Sequence, residues 1–177
     1  RDSGFRFVLP ETPTAAAPAN DLEHSHWLPV SQKQDAADTM EALDSEGWDW
    51  LIVDHYGIDR RWESSMRQVA ARILVIDDLA DRVHDCDALI DQNLYANMDT
   101  RYIGKVPADC TLFLGAEYAF LREEFHQLRA QLNPRSGKVN NILVYFGGSD
   151  ADNHTAEAIE ALLRTGRKDL HVDVVLG

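Results

Sequence analysis

Three short segments put chemically useful side chains directly after apolar runs. After Leu51-Ile52-Val53 come Asp54, His55, Tyr56 and Gly57; after Leu74-Val75-Ile76 come Asp77 and Asp78; after Leu89-Ile90 come Asp91, Gln92 and Asn93. In open α/β sheets, ligands bind beyond the carboxyl ends of the strands, so carboxylates, an imidazole, a phenol and amides gathered there can line one cleft. Such a set offers hydrogen bonds to hydroxyl and amide groups, together with general acid–base work. His55 is the best-placed general base among the residues present, because imidazole titrates near neutral pH and Asp54 or Asp77 can orient it. Tyr56 can donate to a phosphate or sugar oxygen. The same residues have a plainer use, since strand-end Asp and Asn often cap helices and close turns. A metal held by Asp54, His55, Asp77 and Asp78 has no enforcing spacing, and none is expected. His24-Ser25-His26, in a Pro-rich stretch, reads as solvated, and His84-Asp85-Cys86-Asp87 is unspecific.

A second constellation, Gly147-Gly148-Ser149-Asp150, follows the apolar run 142–146 and leads through Asp152-Asn153 into a helical pattern. Glycines let a backbone turn tightly against a ligand, and free N–H groups at a helix start attract an anion such as phosphate, with the Ser149 hydroxyl as an added donor. The segment is neither a Walker loop nor a complete dinucleotide fingerprint, and a plain strand-to-helix turn has the same look.

The elements that must carry these groups are legible from periodicity. Apolar runs over 5–9, 50–53, 73–76, 88–90, 111–114, 142–146 and 172–176 have the length and composition of strands covered on both faces in a parallel sheet. Between them, Ser31 and Gln34 form a capping box ahead of Ala36, Met40 and Leu43, with Gly47 as the stop. Ile58, Trp62, Met66 and Val69 mark a second helix; Leu121, Phe125, Leu128 and Leu132 a third; Ala156, Ile159 and Leu162 a fourth. The predicted class is α/β, a Rossmann-like doubly wound parallel sheet. Residues 10–29 read as a long surface loop. Residues 1–138 are expected to form an N-terminal domain, with a linker near 116–138, and 139–177 to begin a C-terminal nucleotide-binding domain. The chain opens on Arg1 and closes on a strand-like run ending at Gly177, so it is expected to be a piece of a longer protein, cut at both ends.

With 17 Lys and Arg against 30 Asp and Glu, the net charge is −13, and 45% of the 177 residues are hydrophobic. That apolar share supports a packed core. The acidic balance argues against a nucleic-acid partner, whose phosphates demand clustered Lys and Arg. No apolar run approaches a bilayer span and no signal peptide is apparent, so a cytoplasmic setting without membrane attachment is the default. Two cysteines, Cys86 and Cys110, are too few for a disulfide framework and read as buried fillers.

Taken in order, these segments resemble one family. Asp54-His55-Tyr56-Gly57 with Trp62-Glu63, residues 76–82 running to His84-Asp85-Cys86-Asp87, Asp91-Gln92-Asn93-Leu94, Leu114-Gly115 with residues 118–125, and Phe146-Gly147-Gly148-Ser149-Asp150 with Asn153 are similar to the UDP-2,4-diacetamido-2,4,6-trideoxy-β-L-altropyranose hydrolases of pseudaminic acid biosynthesis. The resemblance implies a two-domain GT-B fold, related to the lipid II glycosyltransferase and incomplete here. It implies hydrolysis of a UDP-sugar by water without metal or organic cofactor, in a monomer. Tyr56 would face the sugar, with His55 as a further catalytic candidate. Asp54, Asp77, Asp78, Asn93, Gly147, Gly148, Ser149, Asp150 and Asn153 would bind substrate. The family's principal catalytic histidine is expected upstream of Arg1, and most uridine contacts beyond Gly177, so the fragment alone is expected to be inactive. A GT-B glycosyltransferase and a non-catalytic nucleotide-sugar binding module are the alternatives.

Overall fold

The computed structural model describes residues 8, 21–43, 47–132 and 137–176. The strand expected over 5–9 lies outside them apart from Val8, as does the first part of the 10–29 stretch. The chain divides into two compact units, residues 1–122 and 123–177.

In the first unit, β1 (Trp48–Val53), β2 (Ala70–Ile76), β3 (Ala88–Asp91) and β4 (Thr111–Leu114) form one parallel sheet in that order, flanked by helices, as a Rossmann-like α/β fold requires. The register pairs Val53 with Val75, Ile76 with Ile90 and Asp91 with Leu114, which brings the segments after β1, β2 and β3 to one edge of the sheet. One face of the sheet buries Ile73, Val75 and Leu89 against Trp62 and Met66 of α2 (Arg60–Met66) and Ala36 of α1 (Gln32–Ala42). Each of these larger side chains contributes about 1.5–3 kcal/mol by leaving water. Trp62 Nε1 also donates to Asp35 at 2.7 Å, tying the two helices together.

Local detail departs from the sequence pattern in several places. The Ser31 side chain accepts the Gln34 N–H at 3.2 Å, but the Gln34 side chain reaches forward to Asp38 at 2.7 Å, so only half of the capping box forms. α1 ends at Ala42, ahead of Gly47, and α2 is shorter than its apolar spacing suggests: Ile58 and Val69 flank it while still packing into the core.

The connections β2–β3 and β3–β4 contain no α-helix, although parallel crossovers usually do. Buried polar contacts hold them instead. Glu63, fully buried on α2, accepts the Asp85 N–H at 2.6 Å and faces His84 Nδ1 at 2.7 Å, fixing the β2–β3 connection to the helix. Asp87 accepts the Ile73 N–H at 2.7 Å and pairs with Arg67. Cys86 and Cys110 are free thiols 3.6 Å apart, Cys86 buried and Cys110 partly exposed.

The second unit contains α3 (Glu123–Gln131), β5 (Asn141–Val144), α4 (His154–Arg164) and β6 (His171–Val174), with β5 and β6 paired in parallel. Both strands end before the expected 146 and 176. Leu121, just ahead of the division, and Phe125, Leu128 and Leu132 of the third apolar stripe are each at least half exposed.

Glu63→Ala should lower unfolding free energy by about 3–5 kcal/mol, because it strands a buried imidazolium and a buried N–H. Denaturant titration measures this, and a loss under about 1 kcal/mol would contradict the role given to Glu63.

Candidate functional site

The segments after β1, β2 and β3 enclose a cleft of about 370 Å³ whose walls include Asp54, Tyr56, Asp77, Asp78, Gln92 and Asn93. Of the residues singled out in the sequence, Asp54, Tyr56, Asp77, Asp78 and Asn93 thus meet in one place. Their surroundings give them different capabilities.

Asp78 is the hub on the open side. Its Oδ1 accepts the Tyr56 hydroxyl at 2.6 Å and its Oδ2 accepts the Asn93 side-chain amide at 2.9 Å. Its carbonyl accepts from the Tyr95 hydroxyl at 3.0 Å and from Arg101, whose guanidinium also lies 3.5 Å over the Tyr95 ring and bonds Asp91 at 3.0 Å. The hydrogen bond to Asp78 and partial burial push the Tyr56 phenol up to about 12. Tyr56 is therefore a protonated donor at neutral pH. Asp54 is exposed at the cleft, and a carboxylate there can accept hydrogen bonds from a ligand.

Asp77 belongs to the foundation of the cleft. It is 1% exposed, and its Oδ2 accepts the N–H of Ala80, a residue held at φ 51°, at 2.9 Å. Arg82 Nη1 lies 2.8 Å from its Oδ1 in an ion pair whose angle is too poor for a good hydrogen bond. The same guanidinium donates from Nε to the Ile58 carbonyl at 2.8 Å, so it joins the loop after β1 to the loop after β2. Tyr102 places its hydroxyl 3.1 Å from Asp77 Oδ2 and 3.0 Å from Asp91 Oδ2. His84 completes the cluster, with Nε2 3.8 Å from Asp77. Burial alone would raise the Asp77 pKa, but facing His84 and Arg82 it is held well below the usual carboxylate range. Burial alone would lower the His84 pKa, but contacts with Asp77 and Glu63 raise it to about 9.

His55 is turned into its own loop. The Gly57 N–H donates to its Nδ1 at 3.0 Å, which places the proton of the neutral ring on Nε2. Neither Asp54 nor Asp77 orients it as the sequence suggested. Gly57 is closely approached here: a Cβ would meet His55 Cε1 at 3.0 Å and the His24 carbonyl at 3.1 Å, and these would have to give by a few tenths of an ångström.

In the second unit, Gly147 takes φ 84° and Gly148 has open space around it. The N–H groups of His154 and Thr155 at the start of α4 are not free for an anion. They donate to Asp150 Oδ1 and Oδ2 at 2.8 and 2.9 Å, so Asp150 acts as a helix cap. Asn153, at φ 58°, supplies the left-handed turn and makes no side-chain cap. No group of three or more His, Cys, Asp or Glu among the described residues is arranged to hold a metal, and no helix among them is long and apolar enough to cross a membrane.

The sequence assigns no role in the site to Glu63, Arg82, His84, Tyr95, Arg101 and Tyr102, which support the cleft residues through buried and partly buried contacts. A charged residue inside an apolar helical stripe, as Glu63 is, was the available signal. His24, expected to be solvated, packs with its ring centred 5.6 Å from the Tyr56 ring.

This geometry can be set beside known proteins. Over 124 residues, 70% of this chain, the sequence is 32% identical to the UDP-2,4-diacetamido-2,4,6-trideoxy-beta-L-altropyranose hydrolase of Campylobacter jejuni, of which the match covers 43%. The two chains are distant relatives. A second match, 28% identical over 132 residues, covers 73% of this chain and 27% of an uncharacterized protein of Methanocaldococcus jannaschii. The chain thus spans less than half the length of these curated relatives. No family model matches it.

The buried cluster makes stability pH-dependent in a defined direction. The folded His84 keeps its proton to about pH 9, against an ordinary 6.5, so its contribution is complete below about pH 6.5 and is lost as pH rises through about 9. Asp77, below its ordinary 3.8, contributes fully above that value and loses its contribution as pH falls beneath it. The gap in thermal midpoint between the wild type and His84→Gln should be widest near about pH 6 and shrink toward about pH 10. A gap independent of pH would show that His84 is not held as an imidazolium.

Proposed function

We propose that the protein containing this chain hydrolyses a UDP-linked diacetamido-trideoxy sugar to the free sugar and UDP, in nonulosonic acid biosynthesis. The observation that carries this reading is the polarity of the cleft. Its walls carry carboxylates, a protonated phenol and amides, which suit the hydroxyl and acetamido groups of a sugar and repel a pyrophosphate. The relationship to the Campylobacter hydrolase supports the same substrate class.

In the proposed reaction the sugar end lies against Asp54, Tyr56, Asp78 and Asn93. A water oxygen bonds to the anomeric carbon as the bond to the UDP oxygen breaks, and UDP keeps that electron pair. The proton of the water passes to a histidine, assigned to the segment that the family resemblance places ahead of Arg1, rather than to His55 with its occupied Nδ1. Asp77 positions its neighbours and does not touch substrate. Within the second unit taken by itself, Gly147, Gly148 and Ser149 are the groups suited to a nucleotide phosphate, with Asp150 and Asn153 shaping the turn. Since Asp150 fills the start of α4, the pyrophosphate is met by the glycine backbone and not by that helix end.

Full-length protein incubated with the sugar nucleotide and no acceptor should release equal amounts of UDP and free sugar; failure to release UDP would sink the reading, and release only on adding an acceptor would indicate a glycosyltransferase. Tyr56→Phe removes a hydrogen bond to a charged group, worth about 1.5–3 kcal/mol. It should lower kcat/KM about 10–100-fold while costing no more than about 3 kcal/mol of stability. A variant that unfolds instead would mark Tyr56 as structural.

A further inference from the structure

We infer that Trp27, braced by His24 on the Tyr56 ring, is the apolar platform on which the sugar ring of the substrate stacks, and so a specificity-determining residue. The inference rests on the sugar-nucleotide reading above and extends it to a residue outside the cleft walls.

Ligand sites are usually lined mainly by apolar and aromatic side chains, with a few convergent polar groups. The cleft after β1, β2 and β3 supplies the polar groups, but Asp54, Asp78 and Asn93 offer no flat apolar surface. A trideoxy diacetamido sugar has much to bury: a ring methyl group, two acetyl methyls and the C–H face of the pyranose. Phe120, whose N–H donates to Gln92 Oε1 at 2.6 Å, lies on one side of this cleft, and the aromatic surface that packs directly on Tyr56 is a short 3-10 turn, Ser25–Trp27. Its Trp27 ring is centred 5.4 Å from the Tyr56 ring and 5.1 Å from His24, while His24 is itself 5.6 Å from Tyr56. Three rings in mutual contact thus continue outward from the phenol that donates to Asp78.

Trp27 stays 52% exposed despite this packing. A large indole left half open is common enough singly, but this one is fixed in place. The next residue, Leu28, is buried at 3% exposure and anchors the turn in the core. The Trp27 N–H donates to the His24 carbonyl at 3.0 Å, and that carbonyl would lie 3.1 Å from a Cβ at Gly57. The platform is therefore registered against the loop carrying Tyr56, and Gly57 is the residue that lets it approach. An indole held rigid loses little freedom when a ligand covers it, which favours stacking affinity.

Two substitutions test this in the full-length protein. Trp27→Ala should raise KM for the UDP-sugar about 10-fold with kcat changed less than about 2-fold, leaving the affinity for UDP alone unchanged. Trp27→Phe, which keeps a ring, should restore most of the lost affinity. Gly57→Ala crowds the His24 carbonyl and the His55 ring without touching Trp27 and should raise KM in the same direction by a smaller factor. Near-UV circular dichroism checks that each variant is folded. Equal KM in wild type and Trp27→Ala overturns the platform, as does an equal loss of UDP affinity, which would signal general disruption. If the wild type releases no UDP, the hydrolase reading fails separately, and calorimetric titration with UDP-sugar and with UDP still reads the platform: a loss confined to the UDP-sugar supports it and no loss overturns it.

Discussion

The first unit depends on one buried carboxylate. Asp77 is almost completely removed from water, and it stays ionised because Arg82, His84 and the Ala80 N–H surround it. Removing an ion from water costs several kcal/mol, so such a group persists only where its partners are held in place. Those partners come from every neighbouring segment. Arg82 reaches back to the loop after β1, His84 connects to Glu63 on α2, and Tyr102 connects to Asp91 at the end of β3. A sheet whose second and third crossovers lack helices is thereby held by ion pairs and hydrogen bonds at its carboxyl edge.

The properties of the cleft follow from that arrangement. Asp78 is next in sequence to the buried anchor, so its backbone is fixed by Arg101 and Tyr95 while its carboxylate remains available to Tyr56 and Asn93 at the cleft. Acceptors fixed in advance do not need to be reorganised when a ligand arrives, which is where a folded site gains over water. The chain's net charge of −13 is distributed accordingly. Some of its acids are neutralised inside the lattice, whereas Asp54 stands exposed at the cleft. That contrast separates residues that build the site from residues that can touch a ligand.

The sheet was legible because short apolar runs bounded by polar residues are unambiguous, and its strand ends gave the cleft's acidic rim. What the sequence concealed were the partners. Glu63 and His84 are 21 positions apart, and Arg101 is 23 from Asp78; neither pairing has a periodic signature. The apolar spacing places no helix in the β2–β3 or the β3–β4 connection, and residues 77–87 satisfy backbone N–H groups with carbonyls, as at Asp77, His84 and Asp87, and with side chains, as at Ala80 and Asp85. His55 shows a different gap between residue type and surroundings. Residue type made it a base, whereas the tight turn at Gly57 commits its Nδ1 to a backbone N–H. At the glycine loop, residue type groups Asp150 with phosphate-binding candidates, and its two hydrogen bonds to the start of α4 make it a helix cap.

The division of the cleft into a sugar side and a phosphate-excluding acidic rim is the central claim, and a crystal structure of the full-length protein with a non-hydrolysable phosphonate analogue of the UDP-sugar tests it most directly. The account predicts sugar hydroxyl or acetamido groups within hydrogen-bonding distance of Asp78 and Asn93, with the pyrophosphate away from Asp54 and Asp78. Pyrophosphate oxygens seated among those carboxylates, or a sugar bound elsewhere on the protein, would contradict it.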